Sequence, residues 1–230
     1  MELLVLTDFH YAGAGACSTI PTRRGDLVPA LLGRLCECER GLDAVAVLGD
    51  VIENGFHPAA ADDLCGVRDA LTQFGVPVIA VPGNHDRDPE QFARIFGKAE
   101  PVTVGSVRFL PFADSYDASD VCTRDPVVME RMLSTIRDGE TGIVCQHSAI
   151  LPKIESEYPY TPPQYLEIAR AYRDAGVALS LSGHYHKGIP MHIDGGVRHL
   201  CVPALCETPF QYVRLSINGK RIDVKYGALA

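Results

Sequence analysis

The sequence predicts an α/β fold, and three observations predict it. Short apolar runs alternate with amphipathic, helix-periodic stretches through the front half, the pattern of βαβαβα units. The tail changes to short runs joined by tight turns such as Asp194-Gly195-Gly196 and Asn218-Gly219, the latter a strong hairpin signal. At 230 residues with 47% hydrophobic side chains, the chain suits one domain, residues 1–230, with a substantial core.

In order, residues 2–7 form an apolar run ending in Thr7-Asp8-Phe9-His10, followed by a small-residue loop to Gly25 that closes with Arg23 and Arg24. From Asp26, a candidate N-cap, Leu27, Leu31, Leu32 and Leu35 recur at helical spacing, with Gly41 as the stop. A strand over 44–48 ends in Gly49-Asp50-Val51-Ile52-Glu53-Asn54-Gly55, and a helix over 58–74 stops at Gly75. The run 76–82 delivers Gly83-Asn84-His85-Asp86-Arg87, with a helix starting at Asp88-Pro89-Glu90 and running to about Phe96.

Segments 101–104 and 106–112 suit a hairpin, 126–137 a helix, and 142–145 a strand ending in Gln146-His147-Ser148. Residues 149–163 form a Pro-rich loop, for which two readings stay open: a wall of a pocket, or a contact in a homodimer. A helix over 164–174 leads to strand 177–181, which ends in Ser182-Gly183-His184-Tyr185-His186. Short strands over 188–193, 197–201, 211–217 and 221–226 close the chain.

Charge narrows the partners. A formal net charge of −8 argues against a long nucleic acid or an anionic membrane, both of which select a basic face. No run reaches the roughly 18 to 20 apolar residues that span a membrane, and the N-terminus lacks a basic leader, so a cytoplasmic protein is expected. The eight cysteines, Cys17, Cys36, Cys38, Cys65, Cys122, Cys145, Cys201 and Cys206, contain no CxxC pair. Reduced thiols used as small hydrophobes are expected, without a structural zinc.

Five apolar strands thus end in Asp8-x-His10, Asp50, Asn84-His85, His147 and His184-x-His186. In open α/β sheets the functional crevice lies beyond the carboxyl ends of the strands, so these residues are expected to converge. Imidazoles, carboxylates and an amide oxygen suit divalent ions such as Zn, Mn, Fe and Ni, and their number suits two ions. Two such cations against two carboxylates leave a charge of about +2, which attracts an anionic substrate, phosphate first among candidates. Ions about 3.5 to 4 Å apart bind phosphoryl oxygens and hold a bridging hydroxide for in-line attack.

The ordered set Asp8-x-His10, Gly49-Asp50-x-x-Glu53, Gly83-Asn84-His85-Asp86, His147 and Gly183-His184-x-His186 resembles the calcineurin-like metallophosphoesterase family, from residue 3 to about 215. The resemblance implies a four-layer α/β/β/α sandwich of two mixed β-sheets flanked by helices. It also implies that Asp8, His10, Asp50 and His186 hold one metal and Asp50, Asn84, His147 and His184 the other, with Asp50 bridging. His85 would touch the substrate, and Glu53 would orient His85 or support a metal ligand.

Protein phosphatases of this kind read Gly-Asp-x-x-Asp-Arg-Gly and Gly-Asn-His-Glu, whereas this chain has Glu53-Asn54 and Asp86, and Gln146 precedes His147. The arginine missing at Asn54 leaves two readings of Arg23, Arg24 and Arg87: substitute anion contacts or solvated surface side chains. The leading expectation is a small-molecule phosphoesterase of the bacterial phosphodiesterase type, acting on diesters such as cyclic nucleotides. The alternatives are a serine/threonine protein phosphatase and a catalytically silent scaffold.

Overall fold

A computed structural model describes residues 1–13 and 18–229, so Cys17 lies outside the described residues. Strand β1 (Glu2–Leu6) is apolar at nearly every position because both its faces are covered. Leu3 and Val5 point into the space between two sheets, while Leu4 and Leu6 point outward under helices. The same holds for β2 (Ala44–Leu48), which joins β1 in parallel, with β3 (Val78–Val81) parallel to β2. Helices α1 (Val28–Cys38) and α2 (Ala60–Thr72) lay Leu32, Leu35, Leu64 and Leu71 on the outer face, and α3 (Pro89–Phe96) adds Phe92.

A second sheet follows. Strands β4 (Val102–Val104) and β5 (Val107–Pro111) form a hairpin, and a two-stranded ribbon, β6 (Ser115–Tyr116) with β7 (Cys122–Thr123), precedes α4 (Pro126–Leu133). Then come β8 (Thr141–Cys145), α5 (Tyr165–Asp174), β9 (Leu179–Ser182), β10 (Ile189–Asp194) and β11 (Val197–Cys201). The chain returns through β12 (Gln211–Asn218), antiparallel to β1, and hairpins into β13 (Arg221–Ala228).

The strand orders are β13-β12-β1-β2-β3 and β10-β11-β9-β8-β5-β4. Between the sheets, Leu3, Val5 and Leu48 meet Phe109, Ile143 and Leu181. Outside the second sheet, Leu110 and Val144 pack under Met132, Ile168 and Tyr172 of α4 and α5. Three cores therefore separate four layers, and the fold is the α/β/β/α sandwich of two mixed sheets that the sequence predicts. No helix among the described residues is long and apolar enough to cross a membrane.

The differences are at element ends and in one short ribbon. Asp26 does not cap α1: residues Gly25–Leu27 form a 3-10 turn, and Asp26 instead receives both arms of Arg24 at 3.0 Å. Helix α4 stops at Leu133 rather than near 137, because Thr135 and Ile136 turn back onto the Met132 and Leu133 carbonyls in tighter bonds. The β6–β7 ribbon was not legible, since strands of two residues carry no periodicity. The seven described cysteines are free thiols.

Candidate active site

The carboxyl ends of β1, β2, β3, β8 and β9, drawn from both sheets, meet at one rim of the sandwich. The backbone there is forced into unusual turns. Asp8, His10, Asp50 and His184 have φ of 53°, 46°, 49° and 68°, left-handed conformations that cost non-glycine residues on the order of 1–3 kcal/mol each. Cross-strand bonds hold them: Asp8 N–H donates to the Gly49 carbonyl at 3.0 Å, and His10 N–H to the Asp50 carbonyl at 2.9 Å. Two glycines permit the approach. A Cβ at Gly83 would sit 2.5 Å from the Asp50 amide nitrogen, and one at Gly183 would lie 2.6 Å from Asp8 Oδ2.

The side chains so delivered form a tight, buried cluster. Asp50 Oδ2 lies 3.6 Å from His10 Nε2 on one side and 3.2 Å from His147 Nε2 on the other. His10 Nε2 and His186 Nε2 are 3.1 Å apart, and Asp8 Oδ1 is 3.4 Å from His186 Nε2. Asn84 Oδ1 is 3.2 Å from His147 Nε2, and the His147 and His184 ring centroids are 4.7 Å apart. Asp8 Oδ1 and His184 Nε2 are buried without a hydrogen-bond partner, a costly state for a carboxylate oxygen and an imidazole. Converging donors with two orphaned atoms fit cations. Asp8, His10, His186 and Asp50 could hold one ion, and Asp50, Asn84, His147 and His184 another.

The outward ring nitrogens carry the same message. A carbonyl can only accept, so His147 Nδ1 donates its proton to the Leu48 carbonyl at 2.7 Å and turns Nε2 inward. His10 Nδ1 faces the Glu53 carboxylate at 2.9 Å and His186 Nδ1 faces Glu207 at 2.9 Å, each fixing an inward Nε2. Such outer partners set the tautomer and basicity of ligating histidines, and losing one typically costs about 10–100-fold in metal affinity. Glu207→Ala is therefore predicted to weaken metal binding by about that factor, as measured by competition with a chelator. An unchanged affinity would remove Glu207 from this role.

Protonation of the cluster follows from its charges. Burial opposes a charge on His147, yet Asp50 and Asp8 beside it outweigh this and push its pKa up to about 9. Burial likewise opposes charge on His186, and its contacts with Asp8 and Glu207 raise it to about 9. His184 moves the other way, to about 3, through burial and repulsion from His147. A cation needs neutral imidazoles, so His147 and His186 must shed protons on loading at any pH below about 9. Metal affinity is predicted to fall as pH drops below that value, with proton release on loading at pH 7.5. Loading without proton uptake by the buffer in calorimetry would contradict this.

The remaining candidates separate. His85 stands edge-on to His10 at 4.5 Å between ring centroids and donates its Nδ1 proton to the Glu53 main-chain carbonyl at 2.6 Å, which leaves Nε2 as its free ring nitrogen. Glu53 thus orients His85 through its backbone, while its carboxylate serves His10, and burial notwithstanding, that contact holds its pKa down at about 2. Asp86 accepts N–H bonds from Val51, Ile52 and Gly83 and ties the β2 and β3 loops together. Arg23 lies at the cluster, 3.4 Å from Glu53, and lines the cavity. Arg24 pairs with exposed Asp26 and is not among the residues lining this cavity. Arg87 is engaged by Asp120 at 2.7 Å and lines a smaller neighbouring cavity instead.

The main cavity, about 630 Å³, is bounded by Arg23, Asp50, His85, Asp120, Tyr158, Tyr160, Tyr185, Lys187 and Glu207 among others. Of these, Tyr158, Tyr160, Asp120, Lys187 and Glu207 carry no sequence signal of their own. Glu207 lies in a turn beyond β11, far from any motif, and only the fold brings it to His186.

Comparison with known proteins agrees with this geometry. A family model described as calcineurin-like phosphoesterase matches residues 1–188. A curated Synechococcus protein, a probable cyclic nucleotide phosphodiesterase, is 29% identical over 206 residues, covering 81% of this chain and 74% of its own. A dimetal phosphatase from Danio rerio superposes with a TM-score of 0.80 at 15% identity, over 99% of this chain and 96% of that one. A purple acid phosphatase from yellow lupin gives 0.64 at 15% identity, over 99% of this chain and 51% of that one.

Proposed function

The chain belongs to the calcineurin-like phosphoesterase family, and from that premise we propose that it hydrolyses small phosphodiesters, cyclic nucleotides foremost. It is a phosphoesterase. The observation that carries the reading is the buried donor cluster with its orphaned Asp8 Oδ1 and His184 Nε2, set directly beneath a cavity of small-molecule size. Asp8, His10, Asp50 and His186 would hold one divalent ion and Asp50, Asn84, His147 and His184 another, and such ions would supply Lewis acidity toward phosphoryl oxygens and lower the pKa of a water.

The chain's own residues do the rest. The Glu53 carbonyl fixes the proton of His85 on Nδ1, so Nε2 is the atom free to exchange a proton with a leaving oxygen. Arg23 adds positive charge at the cavity wall where an anionic substrate enters. Asn54, where protein phosphatases carry arginine, spends its Oδ1 on the Phe56 N–H at 3.0 Å, which supports a small ester over a phosphoprotein.

A panel of cyclic nucleotides, nucleotide diesters, phosphomonoesters and a phosphopeptide, assayed with Mn, tests this. The diesters are expected to be turned over with the highest kcat/KM. Turnover confined to the phosphopeptide or to monoesters would overturn the diester reading.

A further inference from the structure

The cavity is larger than a phosphoryl group needs, and its outer wall is aromatic. Tyr158 and Tyr160 come from the Pro-rich loop, and Tyr185 stands between His184 and His186. Their ring centroids follow one another at 4.9 Å and 5.0 Å, and Tyr158 and Tyr160 lie 5.5 Å and 5.3 Å from His184. The rings are inclined at 58° and 78° to one another and form an aromatic wall that begins at the His184 ring and leads outward.

This wall is fixed before any ligand arrives. Tyr158 OH donates to Asp120 at 2.9 Å and accepts from Asn84 Nδ2 at 3.4 Å, and Asp120 is held in turn by Arg87. Within the loop, Ile154 N–H bonds the Thr161 hydroxyl at 3.2 Å, and Tyr160 N–H bonds the Tyr158 carbonyl at 2.9 Å. The Pro-rich loop is thus a pocket wall in this structure.

The wall's chemistry selects its ligand. An alkyl group would offer nothing to the Tyr160 and Tyr185 hydroxyls, Lys187 and Thr19 on this lining, whereas a planar heteroaromatic ring packs on tyrosine and offers polar edges to those groups. We infer that Tyr158, Tyr160 and Tyr185 form a nucleobase-binding wall that positions the base of a nucleotide whose phosphoryl group lies at the metal donors. The inference rests on the hydrolase reading above and adds to it a requirement for the base.

Adenosine monophosphate and ribose 5-phosphate share a sugar and a phosphate and differ in the base, so their inhibition constants against the Mn-loaded enzyme isolate the wall. The wild-type protein is expected to bind adenosine monophosphate about tenfold tighter or more. Tyr160→Leu should lose most of that preference and Tyr160→Phe should keep it. The chain has no tryptophan, so tyrosine emission gives a second readout, quenched by adenosine monophosphate more than by ribose 5-phosphate. Equal affinities in the wild type, or an unchanged preference in Tyr160→Leu, would overturn the base-binding wall while leaving the hydrolase reading intact. A loaded enzyme that turns over no phosphate ester would overturn both.

Discussion

Asp50→Asn is expected to remove metal from both halves of the site together and to abolish phosphoester turnover. Asp50 is the one carboxylate that faces both histidine groups, with Oδ2 at 3.6 Å from His10 Nε2 and 3.2 Å from His147 Nε2. Its other oxygen accepts the His85 N–H at 2.9 Å, which anchors the β3 loop to the β2 loop. Asparagine preserves shape and one acceptor but deletes a charge. With a single carboxylate left, two divalent ions would face each other with about one more unit of unbalanced positive charge in a buried site. Even losing an outer partner costs roughly 10–100-fold in affinity, and losing a shared ligand should exceed that for both ions. Metal analysis after gel filtration measures it. A variant that retains two ions per chain would take Asp50 out of its place between them.

The second large effect concerns His85. His85→Asn should slow hydrolysis of an ester with a poor, alkoxide leaving group by about 10²–10⁴-fold, the usual range for losing a positioned proton donor. The loss on p-nitrophenyl esters should be much smaller, because nitrophenolate departs without protonation. The Glu53 carbonyl already occupies the His85 Nδ1 proton, so only Nε2 can deliver one. Asparagine cannot supply a proton of suitable acidity from that position. Equal losses on both ester types would mean that His85 acts by positioning or charge rather than as an acid.

The sequence exposed much of the fold and most of the donor cluster for physical reasons. Runs such as Ala44–Leu48, buried on both faces, are apolar throughout and stand out at once. Asp8, Asp50, Asn84, His147 and His184 follow such runs directly, so the rule that sites gather at strand ends found them. The partners that orient the donors were less visible. Glu207 meets His186 only through the long return from β11, and the Leu48 carbonyl that fixes His147 belongs to the backbone, which no residue pattern reports. The Pro-rich loop was recognised as a loop, yet its tyrosines face the cavity for tertiary reasons, through Asp120 and Asn84. For Arg24 the sequence leaves two places open, because a surface ion pair with Asp26 and a substrate contact look alike in it.

Together these side chains are proposed to build one dinuclear site. Electron paramagnetic resonance of the Mn-loaded protein, with metal counted per chain, tests it most directly. Two Mn ions per chain are expected, with a spin-coupled spectrum that collapses to an uncoupled or absent signal in Asp50→Asn. A single, uncoupled Mn per chain at saturation would contradict it.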